Sequence, residues 1–243
     1  MASTPGIHQH QTLTIVRYTG VAQPLTTPMA PPRPTRTART EVPVISAGRQ
    51  LILDTAARRF KEEGYAGTSL RDIAGAVGIQ AASLYHHFAS KDEIVGEVLR
   101  IGVERVFDNV RSHVMALPAD ADARLLLRTA IHAHLSALLK LQDYSSANVR
   151  IFGQVPAHVR AGHMALRDNY EKYWASLLRR CAGSGALNPK RDLPLARLFL
   201  LGGLNGSLEW YRGGSGSLRA MAFEIADLLL DGLGARAPEE APR

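Results

Sequence analysis

A single cysteine, Cys181, occurs in this chain of 243 residues. An internal disulfide bond is therefore excluded, and the chain suits a reducing compartment. The sequence also has no uninterrupted apolar run near the roughly 18 residues that a membrane span requires. Its beginning lacks the order of charged, apolar and small residues that marks a secretion signal. We therefore expect a cytoplasmic protein with no membrane partner.

Aromatic residues are also scarce, at 6%, whereas 46% of the residues are hydrophobic. This composition is typical of a helical protein with an aliphatic core. After residue 92 the pattern is helical, with breaks at 117–120, 154–156, 183–194 and 213–217. These breaks predict about five further helices, including one over 157–181 and a final pair over 195–212 and 218–233.

Recognisable catalytic and metal-binding motifs are missing as well. The sequence has no HExxH motif, no phosphate-binding loop and no nucleophile and base at a recognisable spacing. His86 and His87 are adjacent, and His132 and His134 are two apart, so the members of each pair point to different sides of a helix. We therefore expect no cofactor and no metal, and catalysis is the reading that the sequence favours least.

What the chain does contain is a helix-turn-helix pattern. Thr68 or Ser69 can cap a first helix, and Gly78 suits the left-handed corner after it. A second helix is predicted over residues 80–87. The apolar face of the first helix consists of Leu70, Ile73, Ala74 and Val77, and that of the second of Leu84 and Phe88. Such a pair of helices is a common way to place a helix in the major groove of DNA.

The flanking segments complete a small helical domain. Upstream, Ile52, Ala56 and Phe60 form an apolar stripe in a helix predicted over 49–63. Downstream, Ser90 can cap a long helix, with Glu93 at the third position to reach back to the cap.

Together these segments resemble the amino-terminal domain of the TetR family of bacterial transcriptional regulators. The matching positions are Gly64, Thr68, Ile73, Ala74, Gly78, Leu84, Tyr85, Phe88 and Lys91. The resemblance implies an all-α fold, in which a three-helix DNA-binding domain is joined by a long helix to a carboxy-terminal helical bundle for ligand binding and dimerisation. The expected division is a disordered leader (1–45), the DNA-binding domain (46–107, with its helix-turn-helix at 69–88), the effector and dimerisation domain (108–234) and a disordered tail (235–243).

The resemblance also implies which residues meet double-stranded DNA. Gln80 and Ser83 can hydrogen-bond base edges, although they could equally serve as turn and cap residues. Tyr85 and His86 suit phosphates, and Lys91 is either a phosphate contact or a solvated lysine. The full expected set is Thr68, Arg71, Gln80, Ala81, Ala82, Ser83, Tyr85, His86 and Lys91. Many relatives have lysine at Ala81 and glycine at Ala82, so the operator sequence stays open.

The charge of the chain is concentrated away from the helix-turn-helix. Residues 48–95 contain six cationic and six acidic side chains, whereas the leader contributes three of the seven net positive charges. The leader segment PPRPTRTART cannot bury a core and is expected to be disordered. We hypothesise that the leader is an arm that follows the DNA backbone or enters a minor groove. An inert tail, or translation that starts at Met29, is an equal alternative.

A TetR-type protein is expected to bind a palindromic operator as a homodimer and to be released by a small molecule. The expected dimer interface consists of Leu195, Phe199, Gly202, Gly206, Ile225, Leu228 and Leu229, although the glycines could equally serve packing within one subunit. The candidate effector-binding residues are Phe107, Ile131, His134, Phe152, Tyr170 and Trp174, each of which could instead be plain core. His134 could orient a polar ligand group or satisfy a core hydrogen bond.

A narrower resemblance concerns the effector. The strings SLYHHFASKDEIVGEVL and EWYRGGSGSL look like regulators that sense acyl-coenzyme A thioesters, for which Arg160 or Arg167 could meet phosphates at the mouth of an apolar cavity. A DNA-binding protein without ligand control is the main alternative. Repression is the commoner mode in the family, and the sequence leaves activation open.

Overall fold

The computed structural model describes residues 46–141, 143–212 and 217–232. Every regular element in these ranges is helical, which confirms the expected all-α fold. The α-helices are α1 (Ala47–Glu63), α2 (Leu70–Val77), α3 (Ala81–Leu84), α4 (Lys91–Met115), α5 (Ala123–Ser136), α6 (Asp143–Ile151), α7 (Ala157–Gly183), α8 (Leu193–Trp210) and α9 (Leu218–Asp231). A π-helical segment, Ala137–Leu141, extends α5. The predicted leader and tail lie outside the described residues.

The first helix of the helix-turn-helix begins and ends as the sequence predicts. Ser69 caps α2 in a capping box with Asp72. Gly78 ends α2 in the left-handed conformation, at φ 81° and ψ 26°. A residue with a Cβ atom is strained there, so the glycine fixes the corner between the two helices.

The second helix is shorter than the predicted 80–87, because α3 has only one turn of α-helix. Beyond it the chain continues in tight turns, in which the N–H groups of His86 and His87 bond to carbonyl groups three residues earlier. Leu84 and Phe88 are buried as predicted. The segment thus keeps a helical course while its hydrogen bonds tighten.

The carboxy-terminal part contains one break that the sequence did not reveal. The sequence pattern shows no break between residues 120 and 154, whereas the structure has α5, the π-helical segment and a separate α6 there. Near the break the hydroxyl of Ser146 donates a hydrogen bond to the carbonyl of Leu138, at 2.7 Å. Serine hydroxyls compete with backbone bonds in this way, and apolar periodicity does not register it.

The buried residues form two apolar clusters. The first includes Phe60, Leu84 and Phe88 and joins α1, α2, α3 and the start of α4. The second includes Leu127 and Trp174 and joins the second half of α4 to α5, α7, α8 and α9. α4 is therefore a continuous rod that contributes to both clusters, and the predicted domain boundary at 107/108 falls inside it.

Two carboxy-terminal helices also reach the first cluster. Tyr144 and Ile151 of α6 and Val159 of α7 are buried in it. Their positions make α6 and α7, together with α4, the elements through which a change in the second cluster could reach the helix-turn-helix. In the part of the chain that the structure describes, no helix has the length and apolarity to cross a bilayer.

Candidate DNA-binding surface and ligand pocket

The segment from Gln80 to His87, here called the recognition surface, presents polar side chains to solvent above a buried base. Tyr85 is 59% exposed, while Leu84 beneath it is fully buried. Ala81 and Ser83 are half-buried. The exposed members are Gln80, Ala82, Tyr85, His86 and His87. An amide, a phenol and an imidazole on one exposed turn can donate to base edges and phosphates.

Two of the residues expected to contact DNA, Thr68 and Arg71, lie near the start of α2 and differ in exposure. Arg71 is exposed. Thr68 is fully buried, and its hydroxyl donates a hydrogen bond to the carbonyl of Gly64 at 2.9 Å. The expectation that the side chain of Thr68 meets DNA is therefore corrected, because its hydroxyl is engaged inside the domain and holds the loop before α2.

Lys91, at the start of α4, is held against Tyr65. Its ammonium group donates to the carbonyl oxygen of Tyr65 at 2.6 Å and lies 3.8 Å from the centre of the tyrosine ring. Partial burial lowers the pKa of Lys91. Cation–π contact and the hydrogen bond fix the direction of the charge, which leaves it less mobile than an ordinary surface lysine.

The last two helices carry a large exposed apolar surface, here called the α8 face. Phe199 is 83% exposed, Leu195 61% and Leu198 56%. A Cβ atom added at Gly202 or Gly206 would meet no other atom within 4 Å. Of the other residues expected at a dimer interface, Leu228 is exposed and Ile225 and Leu229 are half-buried. Exposed apolar area of this kind is typical of an interaction surface.

A pocket of about 240 Å³ lies between α4, α5, α6, α7 and α8. Of the six residues expected to bind an effector, His134, Phe152 and Tyr170 line it. Ile131 and Trp174 are fully buried in the core and do not line the pocket. Phe107 packs against the Tyr170 ring, with ring centres 5.3 Å apart. The remaining walls are formed by Gly102, Val103, Val106, Leu138, Ser145, Asn148, Val149, Gly153, Arg167, Glu171, Leu201 and Asn205.

His134 is almost completely buried in the wall of the pocket. Its Nδ1 atom lies 2.7 Å from the hydroxyl oxygen of Tyr170. Its Nε2 atom has no hydrogen-bond partner among the described residues. Burial lowers the pKa of His134 to about 4, so the imidazole is neutral near pH 7. Nδ1 is thus hydrogen-bonded to Tyr170, whereas Nε2 forms no hydrogen bond with a described residue.

Arg167 supplies the cationic group of the pocket. Its guanidinium donates to Oδ1 of Asn148 at 3.1 Å and lies 3.9 Å from the centre of the Phe152 ring. Burial lowers the pKa of Arg167, although the charge of Glu171 opposes this. Glu171 is itself hydrogen-bonded to Arg197. Arg160, the other arginine considered for a pocket mouth, donates instead to the carbonyl of Val155 at 2.6 Å.

α6 connects the pocket to α1. Ser145, Asn148 and Val149 face the pocket. From the same helix, the hydroxyl of Tyr144 donates to Oδ1 of Asp54 on α1 at 2.7 Å. Burial, and then the bond to Asp54, raises the pKa of Tyr144 and keeps it a phenol. The short helix α6 therefore contacts both the pocket and α1.

A second set of contacts joins the start of α7 to residues just before and just after the helix-turn-helix. His158 Nε2 lies 2.8 Å from Oδ2 of Asp92, and Oδ1 of Asp92 accepts from the hydroxyl of Tyr65 at 3.0 Å. The side-chain oxygen of Gln154 accepts from the backbone N–H of Tyr65, also at 3.0 Å. Tyr65 connects these bonds to Lys91, because the ammonium group of Lys91 donates to the carbonyl oxygen of Tyr65.

Sequence reasoning missed several residues of the pocket, above all Asn148 and Asn205. Both are polar residues within helices, and apolar periodicity does not reveal the role of such positions. A signal was present in α6, where Ser145, Ser146 and Asn148 stand close together between buried apolar residues. No group of three or more histidine, cysteine, aspartate or glutamate side chains that could hold a metal ion occurs among residues 46–141, 143–212 and 217–232.

A helix-turn-helix with an exposed polar face, built onto a helical bundle, is the architecture of a DNA-binding transcriptional regulator. The family model described as bacterial regulatory proteins, tetR family, matches residues 52–98. A second model, tetracyclin repressor-like C-terminal domain, matches residues 119–233. The chain belongs to the TetR family, as its sequence led us to expect.

Known proteins of this family resemble it over most of their length. The HTH-type transcriptional repressor KstR2 of Rhodococcus jostii is 32% identical over 194 residues, which are 77% of this chain and 92% of that protein. The regulator PfmR of Thermus thermophilus has a similar structure, with a TM-score of 0.65 and 30% identity over 76% of this chain and 99% of that one. The structure of the ketosteroid regulator KstR2 of Mycobacterium tuberculosis is similar as well, with a TM-score of 0.65. Its sequence identity is 28%, over 77% of this chain and 95% of that one. These relatives are regulators rather than enzymes.

Proposed function

We propose that the protein is a homodimeric repressor that binds a palindromic operator and is released when a small apolar or acyl-type molecule enters the pocket. The observation that carries this proposal is the position of α6, which lines the pocket through Asn148 and bonds to α1 through Tyr144. A ligand that displaces α6 therefore acts on the helix that supports the helix-turn-helix. The names of the repressor relatives, one of them a ketosteroid regulator, support both the mode and an apolar effector.

The proposed DNA contacts are Arg71, Lys91 and the recognition surface. Gln80 and Ser83 would read bases, Ala81 and Ala82 would allow close approach, and the hydroxyl of Tyr85 and the ring of His86 would bind phosphates. One such segment reads only a few base pairs. Two copies, paired through the α8 face, would read half-sites about 34–36 Å apart or a multiple of that distance.

Gly102 offers a test of the coupling. At this residue of α4, an added Cβ atom would lie 2.5 Å from the carbonyl oxygen of Tyr144 and 2.8 Å from the Cβ of Asn148. Gly102→Ala must therefore push α6 away from α4, as we propose that the ligand does. Gly96→Ala is a matched control in the same helix, because its Cβ would make only an ordinary contact with His163 at 3.5 Å.

The experiment begins with selection of bound sequences from a pool of random duplexes, followed by measurement of affinity by fluorescence anisotropy. We expect an enriched palindrome, which Gly102→Ala binds at least about tenfold more weakly, since a shift of 1.4 kcal/mol suffices. Gly96→Ala should bind it like the unmodified protein. A palindrome bound equally by both variants would favour a DNA-binding protein without ligand control. No enriched sequence would refute the regulator itself.

A further inference from the structure

Two polar sites in the pocket begin on neighbouring turns of α7, and Ser145 and Glu171 are further polar residues of the lining. Arg167 and Asn148 form the first, and His134, Tyr170 and Asn205 form the second. Arg167 and Tyr170 are three residues apart in one helix, which separates them by about 4.5 Å along its axis. The rest of the lining is mainly aliphatic, with Val103, Val106, Leu138, Val149 and Leu201.

The second site contains a buried polar atom that forms no hydrogen bond within the described part of the chain. His134 is 2% exposed, and its Nε2 atom has no hydrogen-bond partner among the described residues. Asn205 lines the same wall, and its side chain acts on the imidazole to oppose the lowering of the pKa of His134 by burial. Buried polar atoms without partners are rare and destabilising, so an unpaired one in a pocket wall indicates a ligand atom. A ligand oxygen at Nε2 would satisfy it in either tautomer: a carbonyl or hydroxyl oxygen can accept, and a hydroxyl can donate.

The first site contains a cation whose contacts are neutral. Arg167 bonds to the amide of Asn148 and stacks on Phe152, and no carboxylate in the described part of the chain lies within ion-pairing distance of it. Glu171, one turn further along α7, is shared with Arg197. Arg167 and Arg197 thus share one carboxylate, that of Glu171. The half-buried guanidinium of Arg167 therefore has N–H groups that suit a planar carboxylate.

We propose that the pocket selects a small amphiphilic carboxylate, with its acid on Arg167, a second, neutral oxygen on His134 and its apolar part against the aliphatic walls. This inference rests on the proposed role of the pocket as the effector site and names the class of effector. Because Arg167 and Tyr170 lie on neighbouring turns of one helix, the ligand that we propose has its acid and its second oxygen only a few bonds apart. In a coenzyme A thioester the phosphates lie much further from the acyl oxygen. A pocket of about 240 Å³ also suits a compact molecule.

The test uses eight-carbon probes that differ in one group each: octanoate, octanamide, 3-hydroxyoctanoate and octanoyl-coenzyme A. Isothermal titration with the full chain should show octanoate binding at least about tenfold more tightly than octanamide, since a charged hydrogen bond accounts for a factor of that order. The hydroxy acid should bind more tightly again. Cyclohexylacetate and its amide repeat the first comparison with a ring, so that chain shape does not decide the result.

Three variants assign the effect to its residues. Arg167→Gln should bind the acid and the amide equally, and Arg167→Lys should retain part of the preference. His134→Phe should remove only the advantage of the hydroxy acid. Arg150→Gln changes an exposed arginine of α6 and should behave like the unmodified protein. The helical circular dichroism and melting temperature of each variant establish that it is folded.

The possible failures are distinct. Equal binding of octanoate and octanamide, tighter binding of octanoyl-coenzyme A than of octanoate, or no binding of either acid at millimolar concentration would each overturn the carboxylate proposal. Release of operator DNA by a neutral compound would do the same while leaving the proposed repressor intact. A preference for acids that survives in Arg167→Gln would show that another group binds them.

Discussion

The hydroxyl of Tyr144 donates a hydrogen bond of 2.7 Å to Asp54, and this contact ties α6 to α1. The same hydroxyl accepts a bond of 3.0 Å from Nε2 of Gln50. Arg105 of α4 stacks on the tyrosine ring at 4.4 Å from its centre. Tyr144 is thus the point at which α1, α4 and α6 meet, and its neighbours on α6 line the pocket.

Tyr144→Phe should weaken the response to a ligand more than the affinity for DNA. The change removes two hydrogen bonds and keeps the ring, so we expect a loss of about 1–2 kcal/mol in stability. Displacement of α6 would then be transmitted less well to α1. Urea unfolding and anisotropy titrations with and without ligand measure both effects. Tyr173→Phe is a suitable control, because the hydroxyl of Tyr173 has no hydrogen bond to a described residue. An unchanged ligand response in Tyr144→Phe would place the coupling elsewhere.

Lys91→Ala should weaken binding to every duplex alike. If its charge meets a phosphate, the slope of log affinity against log salt falls by about one, because roughly one counterion fewer is released. Lys61→Ala serves as the comparison, since the ammonium group of Lys61 pairs with Asp143 at 2.9 Å. Titrations at several salt concentrations measure the slopes. Equal slopes for Lys91→Ala and the unmodified protein would mean that the contact with Tyr65 is purely structural.

Gln80→Ala should relax sequence preference at one base position. Loss of a bidentate contact to a base costs about 1–3 kcal/mol at that position and little at others. Gln50 is a useful counterpart, because its amide is bound to Asp54 and Tyr144. Competition between the selected operator and its single-base variants gives the preference. A uniform loss across all duplexes would place Gln80 on the phosphates instead.

Phe199→Asp should prevent dimerisation through the α8 face. The ring is 83% exposed in one subunit, and burial of a carboxylate in its place would cost about 2 kcal/mol or more at a dimer contact. We expect a helical monomer with weak operator affinity in sedimentation and anisotropy measurements. Met115→Asp introduces the same charge at a residue 76% exposed elsewhere. If Phe199→Asp stays dimeric, the interface lies on another surface.

The burial of His134 should make stability depend on pH. Its pKa is about 4 in the folded protein and about 6.5 when unfolded, so between these values the unfolded state binds more protons. Stability is therefore complete above about pH 6.5 and falls as the pH drops towards 4, by up to about 3 kcal/mol. His134→Gln should flatten this part of the profile, and His113→Gln, at an exposed histidine, should not. Urea unfolding between pH 4 and 7 measures this pH dependence of the free energy of unfolding. Parallel profiles for His134→Gln and the unmodified protein would show that His134 is not its cause.

The helix-turn-helix could be predicted almost completely, whereas the pocket could not. Gly78, Ser69 and the buried pair Leu84 and Phe88 act within a few residues of one another, so their roles follow from local spacing. The course of α3 was the exception, because hydropathy does not distinguish an α-helix from the tighter turns that replace it. Of the effector residues, His134, Phe152 and Tyr170 line the pocket, and three others are packed behind it or beside it.

By itself the sequence determined the all-α class, the corner at Gly78, the exposed polar character of residues 80–87 and the family, because each depends on the order of residues along one or two helices. Tertiary structure alone decided that the hydroxyl of Thr68 points inward. It also decided that, among the described residues, Arg167 meets Asn148 without an ion-pairing carboxylate and Nε2 of His134 has no hydrogen-bond partner. These relations join helices far apart in the chain. The physical reason is that a hydrogen bond or a desolvated charge is set by which helices pack together, and periodicity within a helix shows only which of its faces is buried.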